Sequence, residues 1–201
     1  MKLLYSDKQI AVCIKPVGLD SEHGLPQALQ EALGGEVFPV HRLDVNVGGV
    51  MVYARTKAAA AALSKAITDG AMVKEYVAQV HGDVPESGDW EDLLFKDSRK
   101  NKVFVVKKER KGVKKARLEF RHLGGGLVRI RLHTGRSHQI RVQFSSRGFP
   151  LVGDHKYGSR DAATAPTLFS CCLTFPYKGK THRFEYLPPW ARENEQEPSV
   201  L

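Results

Sequence analysis

Cysteine is scarce, and the chain has no arrangement that would make its cysteines useful as cross-links. There are 3 in 201 residues, an odd number, and Cys171 and Cys172 are adjacent, a poor geometry for an ordinary disulfide. A disulfide scaffold is therefore excluded, and structural thiols in a reducing, cytoplasmic setting are expected. No apolar run approaches the roughly 20 residues that span a bilayer, and no membrane association is expected. The N-terminal Met1-Lys2-Leu3-Leu4-Tyr5 is interrupted at once by Asp7 and Lys8, unlike a secretory leader. The 8 histidines are scattered and no cysteine pair has ligand spacing, which argues against a metal site. Internal repeats are absent as well. Acidic residues are outnumbered, 22 against 31 Lys and Arg, for a net charge of +9. A basic surface of this kind suits a polyanion such as nucleic acid. Apolar residues make up 42%, enough for an ordinary core and too many for a disordered chain.

The most informative stretch is His41-Arg42-Leu43-Asp44, followed by Val45-Asn46-Val47-Gly48-Gly49 and Val50-Met51-Val52-Tyr53. The last four residues read as a buried strand. Gly48-Gly49 lets the backbone turn into it, so Asp44 is expected on a loop at the mouth of a sheet, with Arg42 beside it. A carboxylate on rigid scaffolding near a guanidinium is either a structural ion pair or a reactive acid.

Around this stretch the pattern predicts strands at Leu3 to Ser6 and Ile10 to Lys15, then a break at Lys15-Pro16-Val17-Gly18-Leu19. A helix is expected over Leu25 to Leu33, and a second, capped by Thr56, over Lys57 to Thr68. Met72 to His81 alternates as a strand. Gly82 to Asp89 reads as a polar turn region, with further strands at Leu93-Leu94-Phe95, Val103 to Val106, Arg117 to Arg121 and Val128 to His133. Between them lies the densest charge in the chain: Lys107, Lys108, Arg110, Lys111, Lys114, Lys115 and Arg117, with a turn at Gly112. It is either a solvated hairpin tip or a finger that contacts phosphates. Ser137 to Ser146 has helical spacing, with Arg136 before its start and Arg141 within it. Leu168 to Phe175 and His182 to Tyr186 close the fold, and a polar, mobile tail is expected from residue 188. Many strands and few helices, without βαβ alternation, imply an α+β domain over residues 1–187. Its core would be a central mixed, largely antiparallel sheet flanked by helices.

The tetrad, with Gly49 five residues beyond Asp44, resembles the signature of the RluA-type pseudouridine synthases, which usually reads His-Arg-Leu-Asp, two variable residues, Thr-Ser-Gly. Ile14-Lys15-Pro16-Val17-Gly18-Leu19 resembles that family's Lys-Pro-x-Gly element. Lys74-Glu75-Tyr76 with Val80-His81-Gly82 resembles its Lys-x-Tyr strand, and Thr134 to Arg141 its Thr-Gly-Arg-Thr-His-Gln-Ile-Arg element. Pro150-Leu151-Val152-Gly153-Asp154 with Tyr157-Gly158 resembles the segment after it.

The resemblance implies isomerisation of a uridine in ribosomal or transfer RNA, without cofactor or metal, in a cleft across the sheet. Asp44 would supply the ionised carboxylate at the sugar, as nucleophile or base. Arg141 would keep it charged, Tyr76 would stack on the base, and Ile140 would form an apolar floor. Arg42 would assist flipping of the nucleotide. His41, Arg136, Lys114 and Lys115 are the further candidates for RNA contact. The resemblance also implies a catalytic domain without a separate N-terminal RNA-binding domain, acting as a monomer on RNA and not on DNA. Val47-Gly48 stand where the family usually has Thr-Ser, so two hydroxyls that could brace the loop are missing. Two other readings compete. One is an RNA-binding relative that no longer isomerises. The other is a metal-free ribonuclease using His41 and His138 as acid and base.

Overall fold

The computed structural model describes residues 1–192. Its elements in chain order are β1 (Lys2–Ser6), β2 (Ile10–Lys15), α1 (Gly24–Leu33), β3 (Phe38–Pro39), β4 (Gly48–Ala54), α2 (Lys57–Thr68) and β5 (Val73–Gln79). There follow β6 (Ser87–Asp97), β7 (Lys102–Val106), β8 (Val113–Gly124), β9 (Leu127–Leu132), α3 (Gln139–Ser145), β10 (Leu168–Tyr177), β11 (Lys180–Glu185) and the single turn α4 (Pro189–Arg192). The tail expected from residue 188 thus lies mostly outside the described residues. The α+β class and the mixed, largely antiparallel strand pairing are as the sequence implies: β4 and β10 run parallel, while β1/β2, β2/β4, β6/β7, β6/β8, β8/β9 and β10/β11 are antiparallel.

The residues group into two compact units. The first, residues 1–74 and 169–186, orders its strands β1-β2-β4-β10, with β3 on β4 and β11 on β10. Every residue of β4 is buried, the burial expected of an apolar run covered on both faces. Ile10 and Val12 from β2, Val50 and Val52 from β4, Leu63 from α2 and Phe175 from β10 form its core. α2 begins where predicted because Thr56 Oγ1 accepts the Ala59 N–H at 3.1 Å, satisfying one of the orphan donors of the first turn. Cys13, Cys171 and Cys172 are buried thiols, and burial pushes the Cys13 thiol up to about 12, too high for a reactive thiolate.

The second unit, residues 75–168 with 187–192, orders its strands β5-β9-β8-β6-β7. Its helix α3 packs Val142 against Leu94, Val103, Ala116 and Tyr157. Phe144 meets Trp90 and Phe120 at ring centroid distances of 4.7 and 5.2 Å. Two expectations need correction here. The end of the expected turn region, Ser87 to Asp89, is strand, because β6 pairs with β8 from Ser87 through Phe95. The charged segment is only partly hairpin tip, since β8 begins at Val113 and carries Lys114, Lys115 and Arg117 as strand residues.

Gly48 and Gly49 are demanded by the parallel contact of β4 with β10, where they face Phe169 and Ser170. Gly49 has φ +139, and a Cβ there would lie 2.5 Å from the Ser170 backbone. Gly49→Ala is expected to destabilise the fold by about 2 kcal/mol or more, a loss of several degrees in Tm by thermal melting. An unchanged Tm would show that β10 gives way freely.

Candidate active site

Asp44 sits on the loop between β3 and β4, half-buried, and that loop is fastened on both sides of it. On one side the Ser21 hydroxyl accepts the Leu43 N–H at 3.2 Å and donates to the Leu43 carbonyl at 2.9 Å. Ser21 is itself held by Tyr53, whose hydroxyl donates to the Ser21 carbonyl at 2.8 Å. On the other side the Val45 carbonyl accepts from Gly18 N–H at 2.8 Å and from Lys15 Nζ at 3.0 Å. The Lys15 ammonium, 0% exposed, also donates to the carbonyls of Pro16 at 2.9 Å and Leu19 at 2.8 Å. All three of its protons are therefore used. Burial pulls the Lys15 pKa down to about 8, against the upward pull of the Asp20 and Asp44 carboxylates. Val47 N–H donates to the Asp44 carbonyl at 2.9 Å and closes the turn.

The missing Thr-Ser hydroxyls leave this loop fastened. Val47 is buried, and a Cβ at Gly48 would come within 3.2 Å of the Phe169 ring and of the Lys15 carbonyl. An aromatic ring fills the space, and the bracing comes from Ser21 and Lys15, neither of which stood out in the sequence as a brace. Their partners lie 22 and 30 residues away. His41 is engaged with the backbone of β4. Its Nε2 accepts the Val52 N–H of β4 at 3.1 Å, and burial, with the positive charge of Lys74, pulls its pKa to about 3. A neutral ring committed to the backbone cannot serve as the acid of a ribonuclease near neutral pH, so it braces the loop. Arg42 is exposed and pairs with Glu22 at 3.0 Å.

In the second unit Tyr76 lies on β5 and is 7% exposed. Ile140 and Arg141 lie in the first turn of α3, both buried. The Arg141 guanidinium is gripped in a fork by Asp154, Nε to Oδ2 and Nη2 to Oδ1 at 2.7 Å each, and Asp154 is 1% exposed. A bidentate pair of this kind fixes the plane as well as the position of the guanidinium. The Tyr157 ring lies 5.1 Å from it. Tyr157 Oη accepts the Val103 N–H at 2.9 Å and is hydrogen-bonded to His138 Nδ1 at 2.8 Å. Asp154 and Tyr157 belong to the segment Pro150 to Gly158, but no feature of spacing reveals their attachment to α3.

Arg136 precedes α3 as expected, although the helix starts at Gln139 because His138 is left-handed, with φ +50. Its Nε donates to the Lys115 carbonyl at 2.9 Å, and its N–H to Gln139 Oε1 at 3.0 Å. Thr134 Oγ1 accepts the Arg117 N–H at 2.9 Å, so the whole loop is tied to β8. Lys114 and Lys115 are adjacent on β8 and so point to opposite faces. Among the described residues no cluster of three or more His, Cys, Asp or Glu side chains could hold a metal ion.

Two predictions follow from these contacts. Because folded His41 stays neutral down to about pH 3 while the unfolded imidazole takes up a proton near 6.5, the unfolded state binds the extra proton between those values. Stability is then lost as pH falls below 6.5, by up to about 1.4 kcal/mol per pH unit. His41→Gln, which keeps an acceptor but does not titrate, should flatten the slope of urea midpoint against pH between 6.5 and 4.5. Asp154→Ala removes the carboxylate from a buried guanidinium and should cost about 3–5 kcal/mol in urea unfolding; a cost under about 1 kcal/mol would deny Asp154 its anchoring role.

Comparison with known proteins is consistent with this arrangement. Residues 9–146 match the family model described as RNA pseudouridylate synthase. The dual-specificity RNA pseudouridine synthase RluA of Yersinia pestis is 32% identical, covering 92% of this chain and 98% of its own. The protein of the same name from Escherichia coli K12 is 31% identical over 91% of each chain. Two solved structures share the fold. Human RNA pseudouridylate synthase domain containing 1 has a TM-score of 0.80 at 22% identity, covering 94% of this chain and 83% of its own. Human RNA pseudouridylate synthase domain containing 4 has a TM-score of 0.79 at 23%, covering 96% and 91%. With a family model matched over most of its length and relatives of this similarity along nearly all of it, the chain belongs to the RNA pseudouridylate synthases, isomerases that act on uridine in RNA.

Proposed function

We propose that this protein converts uridine to pseudouridine in structured ribosomal or transfer RNA, with Asp44 as the essential carboxylate. The observation that carries the reading is the fastening of the Asp44 loop. Its flanking carbonyls and amides are taken up by Ser21, Gly18 and Lys15, so the carboxylate is presented from a backbone with little freedom to shift. In this reading the target nucleotide leaves its stack, at a cost of a few kcal/mol, and exposed Arg42 assists that step. Tyr76 then stacks on the uracil and Ile140 lies under it. Arg141, its guanidinium plane fixed by Asp154, supplies positive charge for the reaction.

With the carboxylate placed at the ribose, the glycosidic bond to uracil nitrogen breaks, the base turns, and a bond to uracil carbon forms. The atoms of the nucleotide are conserved, and no oxidant, reductant or cofactor is consumed. Both relatives named above are called dual-specificity synthases, and substrates from both RNA classes are within this proposal. The three buried thiols suit a cytoplasmic location.

Asp44→Asn keeps the shape and removes the charge. It should lower pseudouridine formation by at least about a thousandfold while RNA affinity stays within about twofold. The substrate would be found in a site-resolved pseudouridine map of total RNA from cells with and without the gene, complemented by native protein or by Asp44→Ala. A fully active Asp44→Asn protein would overturn the assignment.

A further inference from the structure

Three cations surround one hollow on the second unit, and no carboxylate is among its lining residues. The hollow measures about 150 Å³ and is lined by Lys96 of β6, Lys114 of β8 and Arg136 of the loop before α3, over Leu94 and Val103. Register explains the grouping. Leu94 faces Lys114 across β6/β8, and Lys96 faces Val103 across β6/β7, so all four side chains share one face of the sheet. Further along that face α3 covers Ala116 and Leu94; beyond its N-terminal end the face is open, which leaves the lysines exposed on an apolar floor. Arg136 is fixed over it by the bond from Nε to the Lys115 carbonyl at 2.9 Å.

We propose that this hollow is a phosphate cradle for the backbone of the RNA substrate, reading no base. The inference rests on RNA being the substrate and extends it by naming the surface. Three positive charges gathered without a counter-carboxylate repel one another, and a phosphodiester relieves that repulsion on binding. The floor of Leu94 and Val103 supplies a low-dielectric wall on which such an attraction is less screened. The opposite face of the same strands has a second hollow, of about 380 Å³, but the Glu109 carboxylate is among its lining residues. There Lys115 lies 3.8 Å from Glu109, and Arg110 stacks 4.5 Å from the Phe95 ring, so its cations already have partners. Of the adjacent pair Lys114 and Lys115, only Lys114 faces the cradle.

The test uses the full chain and a fluorescein-labelled 12-nucleotide oligouridylate, with anisotropy read from 50 to 300 mM salt. The double variant Lys96→Glu/Lys114→Glu should bind at least about tenfold more weakly. Its plot of log affinity against log salt should be shallower by about 1.4, two single-strand phosphate contacts at about 0.7 each. Lys96→Gln/Lys114→Gln should show the same shallower slope with a smaller loss. Lys115→Glu, the same charge change one residue away on the other face, should change affinity by less than about threefold. Equal losses in Lys115→Glu and the double variant would show only net charge at work and overturn the cradle. So would an unaffected double variant, or no binding by the native chain at 50 mM salt. Because binding is read without turnover, a failed cradle leaves Asp44-dependent isomerisation standing, and an inactive native protein leaves the cradle measurable.

Discussion

A buried ammonium holds the Asp44 loop in shape. Lys15 lies wholly out of solvent and gives its three protons to the carbonyls of Pro16, Leu19 and Val45. Burying that charge is costly, as its lowered pKa records, and the three carbonyls together with nearby Asp20 and Asp44 offset the cost. The same contacts satisfy loop carbonyls that would otherwise be orphaned, so a turn-rich segment without helix or strand becomes a rigid mount for a carboxylate. Ser21 repeats the device on the other side of Asp44 with a neutral hydroxyl. This arrangement explains why Val47 and Gly48 can stand where hydroxyl-bearing residues are usual in the family. The mount is built from residues 15 to 21, and the space beside Gly48 is taken by Phe169.

The second unit uses the same logic with opposite charge. A buried carboxylate, Asp154, holds a buried guanidinium, Arg141, and Tyr157 lies beside the pair with its hydroxyl taking the Val103 N–H. Polar groups at the start of α3 are thus fully engaged: Gln139 is tied to Thr134, Arg136 and Arg117. The helix is only seven residues long and would have little stability alone. It persists because Gln139, Arg141 and the Gln143 amide nitrogen find partners on neighbouring strands and loops.

Where the sequence was legible, the cause of structure was local. α2 reads correctly because its cap, its alanine run and its stop lie within the segment. β4 reads correctly because it is apolar throughout. The part of β6 before Leu93 was missed because its inward residues include Asp92, whose burial is made possible by Gln143 at 2.7 Å and Arg147 at 2.8 Å, both from a different part of the chain. His138 was placed inside a helix because nothing in its neighbours foretells a left-handed φ.

By itself the sequence determined the α+β class, the Asp44 tetrad and its strand, the family, and the basic character that suits RNA. These are properties of residue types in order and of short-range pattern. Only the tertiary structure decided that His41 is a neutral brace, that Lys15 and Ser21 hold the Asp44 loop, that Asp154 orients Arg141, and that Lys114 and Lys115 part company across a strand. The first three of these share one physical reason. A hydrogen bond or ion pair is set by distance in space, and these partners lie from 11 to 30 residues apart, so pairing appears only once the chain has folded.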